Sequence, residues 1–331
     1  MISEEKVVEF VKKWQKSDYE NDRPSFFELT MMMAFEWFAH EKVDFAVIEV
    51  GMGGRLDSTN IITPLLSVIT NISKDHTQFL GDTLNDIAKE KAGIIKQGIP
   101  VVVGEATAET ESVFEKHAME NESKIIKAYN FVGEDEVNKL TDFSPLKGDY
   151  QKKNLNTAYF VIRELRNLGV LIDDKSIFAG FKNVDSLTGF KGRWTILSEN
   201  PITIMDTGHN EAGLKYNLSQ LQRLKKERKE SRIHFVIGFV ADKDINNILK
   251  LFPEDAIYYL TQAQIPRALP VDDLYNKFID LNKGDRKDSI NKFPKVKEAL
   301  EAAKKEASQN DIIYIGGSTF IVADALKNQS T

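Results

Sequence analysis

Val43-Asp44-Phe45-Ala46-Val47-Ile48-Glu49-Val50-Gly51-Met52-Gly53-Gly54 is the stretch on which the reading of this chain turns. Phe45 to Ile48 form an unbroken apolar run with β-branched residues, which predicts a buried strand. Glu49 places a charge at the end of that run, and a glycine-rich turn follows at once. In open parallel α/β sheets, ligands sit beyond the carboxyl ends of the strands. A carboxylate there is placed to hold a cation, although an ion pair at a strand end accounts for it equally. The glycines do not have the G-x-G-x-x-G spacing of a dinucleotide fingerprint, and no Gly-Lys dipeptide of a P-loop occurs in the chain.

On the amino side, a helix is predicted over about Phe26 to His40. Its Met and Phe content (Met31, Met32, Met33, Phe35, Phe38) points to burial on several sides. On the carboxyl side, Arg55 to Asn60 reads as a polar loop and Leu65 to Ile72 as a second strand, followed by His76. His76 is thus a second ligand-type group after a strand end. Thr83 opens a helix on which Leu84, Ala88, Lys91 and Ile95 share one face. A lysine on an apolar stripe either snorkels to water or becomes a neutral, nucleophilic amine.

Further out, Ser3 to Lys16 is an amphipathic helix and Val101 to Val103 a strand. Glu111 to Asn121 and Tyr150 to Leu168 are helices, with a poorly patterned stretch, Lys124 to Asp149, between them. A turn-rich passage suggests a boundary near Lys191, dividing the chain into domains at 1–191 and 192–331. The second begins with strands at Arg193 to Ser198 and Ile202 to Met205, the latter running into Asp206-Thr207-Gly208-His209-Asn210. A long helix, Glu211 to Glu230, follows. Strands and helices then alternate through Ile233 to Phe239, Asp242 to Leu251, Ala256 to Leu260, Val271 to Asn282, Lys295 to Ala307, Asp311 to Ile315 and Thr319 to Leu326. Such alternation predicts an α/β protein with a parallel sheet covered on both faces.

The 331 residues fit about two domains. A net charge of −6 argues against nucleic acid or an anionic membrane as the partner. With no cysteine, thiolate zinc sites, disulfides and thiol nucleophiles are excluded. No apolar run approaches the roughly 20 residues that span a bilayer. A cytoplasmic protein is the default expectation.

In combination, several motifs carry a resemblance. They are Ser25-Phe26-Phe27-Glu28, Glu49 through Asn60, Asp75-His76, Glu90-Lys91-Ala92-Gly93-Ile94, Gln151 with Asn154, Gly192-Arg193, Asp206 through Asn210, Ala241-Asp242-Lys243-Asp244, and Gly317-Ser318. Their order and spacing resemble those of the folylpolyglutamate synthase/dihydrofolate synthase family of Mur ligases. The resemblance implies a central ATPase-type domain followed by a smaller Rossmann-like one. It also implies a monomeric ligase that uses ATP and Mg2+ to join L-glutamate to dihydropteroate or a reduced folate through an acyl phosphate. By the same resemblance, Glu49 and His76 would be magnesium ligands and Lys91 a carbamylated lysine. Asn154, Arg193, Asp206 and His209 would lie at the nucleotide, and Ser25, Phe26, Phe27, Glu28, Leu56, Asp57 and Ser58 along the pterin site. The family's phosphate loop would lie upstream of Ile2, so this chain by itself is expected to be a weak ligase. A ligase of cell-wall precursors and a non-catalytic relative are the alternatives.

Overall fold

In a computed structural model of the chain, residues 1–16, 24–73, 77–131, 135–242, 245–281 and 289–327 are described. Two compact units emerge, Met1–Phe131 with Phe160–Val170, and Val132–Tyr159 with Leu171–Thr331.

The first unit carries a parallel three-stranded sheet of β1 (Ser67–Ile69), β2 (Val101–Val103) and β3 (Ile125–Lys127), in that order. Helices Leu84–Ala92 and Ala108–Glu120 cover it. Ala88 and Ala92 from one helix, and Val113, Phe114 and Ala118 from the other, pack with Ile69, Val101 and Val103. Small residues on the first helix let it lie close to the strands.

The second unit holds a six-stranded sheet. Its strands are β4 (Thr195–Glu199), β5 (Ile202–Met205), β6 (Ile233–Ile237), β7 (Ile257–Thr261), β8 (Ile290–Phe293) and β9 (Ile312–Gly316). The spatial order is β4-β5-β9-β6-β7-β8, with β4 antiparallel to β5 and the other pairings parallel. β5, β6 and β9 are buried along their whole length, because helices cover both faces. The two-residue period of a strand then deals its side chains to two cores. Ile204, Phe235, Tyr258 and Tyr314 meet Leu214, Leu218 and Leu221 of helix Glu211–Glu227 and Phe278 of helix Val271–Leu281. Met205, Val236, Tyr259 and Ile315 meet Ala299 and Ala303 of helix Val296–Glu306 and Ile321 of helix Thr319–Lys327.

The opening stretch departs from its expectation. Residues 43–50 form no strand and belong to no ladder among the described residues, and Val47 is 97% exposed. The apolar run has the composition of a central strand. A strand is defined by its neighbours, however, and β1 pairs with β2 on its described side. Helix Phe26–Glu41 likewise contains no buried residue, and Phe26 is 86% exposed, against the expectation of burial on several sides. Its apolar residues surround the helix, so packing along one side leaves the others open. The expected helix at Asp242 to Leu251 shortens to Asn246–Leu249. Helix Asp174–Lys182 and strand β8 come in addition to the expected elements. Among the described residues, no helix is long and apolar enough to cross a membrane.

Phe235 is fully buried, with ring contacts to Phe252, Tyr258 and Tyr314. Phe235→Ala should therefore cost about 3–5 kcal/mol, read as a lowered urea midpoint in equilibrium unfolding.

Candidate functional site

In the first unit, the Gly51 to Asn60 loop is clasped to the carboxyl end of helix Leu84–Ala92. The Arg55 amide donates to the Glu90 carbonyl at 2.8 Å, and the Arg55 guanidinium pairs with the Glu90 carboxylate at 2.9 Å. Asn60 Nδ2 donates to the Gly93 carbonyl at 3.0 Å. A Cβ at Gly54 would lie 2.8 Å from the Glu90 oxygen and 3.1 Å from that of Lys91, so only glycine permits this approach. Gly53 has φ +68°, a second glycine requirement. Inside the loop, Asp57 Oδ2 accepts from the Met52 amide at 2.9 Å, and Oδ1 accepts from the Thr59 amide and hydroxyl at 2.9 and 2.6 Å. Burial by itself would raise the Asp57 carboxyl. The hydrogen bonds from Thr59 and from the Met52, Thr59 and Gly51 amides outweigh burial and hold it below its ordinary value.

The clasp shapes a cleft of about 170 Å3 lined by Val50, Gly51, Met52, Gly53, Asn71, Ser73, Leu80, Ile87 and Lys91. Lys91 is half-buried there, beside the fully buried Ile87. Glu49 is exposed and adjoins the cleft through Val50. His76 lies outside the described residues. Among those described, no cluster of His, Cys, Asp and Glu gathers three metal-binding groups. The donor types at hand, the Glu49 carboxylate with the Asn71 amide and Ser73 hydroxyl nearby in sequence or lining, are the hard oxygens that magnesium takes.

The expected pterin-lining residues divide. The Phe27 ring stands against Gly51, where an added Cβ would approach it to 2.5 Å. Ser25 and Glu28 form a capping box that starts helix Phe26–Glu41: Glu28 Oε2 accepts from the Ser25 amide at 2.6 Å, and Ser25 Oγ from the Glu28 amide at 3.2 Å. That amide contact holds the Glu28 carboxyl below its ordinary value. Leu56 and Phe26 are exposed, and Ser58 opens the 3-10 turn Ser58–Ile61, capped by Asp57.

The second unit brings together another set, beyond the carboxyl end of β5. Asp206 is 1% exposed. Its Oδ2 accepts from the Tyr150 hydroxyl at 2.6 Å and the Trp194 amide at 2.7 Å, while Oδ1 accepts from the Gly208 amide at 2.7 Å. Both oxygens are therefore engaged in holding protein. Burial, then the neighbouring Asp206 charge, pushes the Tyr150 hydroxyl far above its ordinary value and keeps it a proton donor. His209 Nδ1 donates to the Thr207 carbonyl at 3.0 Å. Arg193 is exposed and its guanidinium bonds the Thr207 hydroxyl. Asn154, also exposed, donates to Gln151 at 3.0 Å on the first turn of helix Gln151–Asn167. Sequence reasoning did not single out Tyr150: its partner lies 56 residues away, and no local spacing encodes that pairing.

Comparisons with known proteins agree with this architecture. Residues 3–159 match the Mur ligase middle domain, and residues 192–319 match the Mur ligase glutamate ligase domain. The chain is 31% identical over 329 residues to the dihydrofolate synthase/folylpolyglutamate synthase of Bacillus subtilis, a match covering 93% of this chain and 73% of the relative. The Mycobacterium tuberculosis folylpolyglutamate synthase complexed with ADP and AMPPCP superposes with a TM-score of 0.81 at 25% identity, covering 100% of this chain and 80% of that one. The bifunctional synthase of Yersinia pestis, complexed with AMPPNP and a Mn ion, shares the fold, with a TM-score of 0.80 at 24% identity over 100% of this chain and 77% of that one.

Asp57→Ala should destabilise the first unit by about 1–3 kcal/mol at neutral pH, measured by urea denaturation, since it strands the Met52 and Thr59 donors. The folded carboxyl titrates below its unfolded value. Its contribution is therefore complete above about pH 4 and disappears as pH falls through the lowered folded pKa, so wild type and variant should converge in acid.

Proposed function

The chain belongs to the Mur ligases, in the family of the dihydrofolate and folylpolyglutamate synthases, and from that membership we propose that it joins L-glutamate to dihydropteroate or to a reduced folate, using ATP. The observation that carries this reading is the cleft between the clasped glycine loop and Lys91. It sets Asn71 and Ser73, just past the end of the parallel strand β1, beside the glycine loop and Lys91, a setting suited to a magnesium ion and the phosphate oxygens it accompanies.

A carboxylate resists attack by an amine because its oxygen is a poor leaving group. In the proposed reaction, the substrate carboxylate oxygen forms a bond to the γ-phosphorus of ATP as the bond to ADP breaks. The glutamate nitrogen then adds to the acyl carbon, phosphate leaves with the bonding pair, and the ammonium proton passes to solvent. Glu49 and His76 would hold Mg2+, which supplies charge neutralisation at the phosphate oxygens when bound. Asn154, Arg193 and His209 would contact the nucleotide, with Asp206 beneath them. Phe27, Asp57 and their neighbours would border the pterin. Residues 1–191 would serve ATP and pterin, and residues 192–331 glutamate. The protein would act in the cytoplasm.

Lys91 would be carbamylated: its neutral Nζ attacks the carbon of carbon dioxide and releases a proton, giving an anion suited to a second magnesium. Lys91 lies half-buried on the cleft lining with Ile87 and Leu80, where such an anion would face the metal.

Calorimetry of the pure chain should show binding of MgADP and of dihydropteroate. Binding of a muramyl nucleotide in place of dihydropteroate would overturn the assignment. Incubation with carbon-13 bicarbonate should give a carbamate resonance that Lys91→Ala abolishes. A resonance that survives that substitution would remove Lys91 from this role.

A further inference from the structure

The buried carboxylate of Asp206 is surrounded by protein donors, so its oxygens are not presented to a ligand. Its work is done on the backbone. The Trp194 amide it accepts belongs to a residue at φ 49°, in the left-handed region that a bulky side chain avoids. Gly192, at φ +92°, stands two residues before it, so Arg193 is flanked on both sides by left-handed residues. The Gly208 amide it accepts closes the turn that carries His209, and the Thr207 amide donates to the Gly192 carbonyl at 2.8 Å, joining the two turns. A Cβ at Gly208 would lie 2.8 Å from Asp206 Oδ1 and 2.9 Å from Asn217 Nδ2, so the second turn presses directly on the carboxylate.

Tyr150 reaches this carboxylate from a different segment. It immediately precedes helix Gln151–Asn167, whose first turn bears Asn154. Its ring meets Tyr216 edge-on at 6.3 Å, and Tyr216 in turn accepts from Lys153 at 2.9 Å. The same segment is pinned independently: the Asp149 amide donates to Gln220 Oε1 at 2.9 Å, and Gln220 Nε2 donates to the Lys147 carbonyl at 2.8 Å.

We propose that Tyr150 is a positioning residue which, through Asp206, fixes the strained Arg193–Trp194 turn and the His209 turn in register with the start of the Asn154 helix. The hydroxyl and the Trp194 amide both donate to Oδ2. Loss of the hydroxyl leaves the carboxylate able to rotate away from Trp194, and the left-handed turn relaxes. The functional weight of the device rests on the reading of Asn154, Arg193 and His209 as nucleotide contacts, whereas the device itself rests on geometry.

Hydrogen exchange of the full chain by mass spectrometry, paired with calorimetry using MgADP, separates the two. Tyr150→Phe removes one oxygen and keeps the ring. It should speed exchange in peptides covering residues 192–195 and 206–210 by about tenfold or more and weaken MgADP by a similar factor, as loss of a hydrogen bond to a charged group predicts. Gln220→Ala, which loosens residues 147–149 without touching Asp206, should leave exchange in both peptides at the wild-type rate. Tyr150→Phe and Asp206→Asn should also be non-additive on MgADP affinity. Wild-type exchange in the Tyr150→Phe peptides, or additive effects, would overturn the proposal. Should the wild-type chain bind no MgADP, the nucleotide reading falls, and the exchange rates decide the positioning role without it.

Discussion

The first unit depends on a backbone-to-backbone approach with no space for a side chain. At Gly54 the loop lies against the last carbonyls of helix Leu84–Ala92. The Arg55 amide and guanidinium then secure the loop to a single residue, Glu90, through main chain and side chain together. Because Lys91 is the next residue, its alignment with Val50 to Gly53 is settled by the same contact. Position in the cleft is thus inherited from the helix, which is held in turn by Ala88 and Ala92 against the sheet. Rigid placement of this kind is what the proposed phosphate site would need, since small displacements of a functional group cost much of its effect.

In the second unit the corresponding role falls to a buried anion. Placing a carboxylate at 1% exposure is costly unless each oxygen is satisfied. Asp206 is satisfied by groups from separate parts of the chain, two of them backbone amides on turns. The cost of burial therefore becomes a preference for one arrangement of those turns. The fully buried strand β5 delivers the carboxylate to this place, and the two cores either side of the sheet keep β5 from moving.

Where local pattern and tertiary environment coincide, the sequence is transparent. β5, β6 and β9 are short apolar runs covered on both faces, and their helices show a 3.6-residue stripe. The glycine loop and Lys91 were also legible, one from its glycines and the other from its helical face. Residues 43–50 show the opposite case. Their composition belongs to a central strand, but pairing is a property of neighbours and composition carries none of that information. β8, Ile-Asn-Lys-Phe, fails for the reverse reason: two of its residues are exposed and polar, and its strand character comes from β7. Asp206 was legible as a polar group after a strand. Its engagement by Tyr150 and by the Trp194 amide was not, because those contacts join segments that only the fold brings together.

Residues 43–50 also bear on how the chain behaves in solution. A segment with strand-like composition that joins no ladder among the described residues has the makings of a template for another strand, and Val47 offers it an apolar side chain that is almost wholly in water. Close by in sequence, Phe45 and the helix from Phe26 to Glu41 add further uncovered apolar surface. Uncovered apolar surface of this kind favours association with another chain, and Val47→Lys would remove its most exposed member.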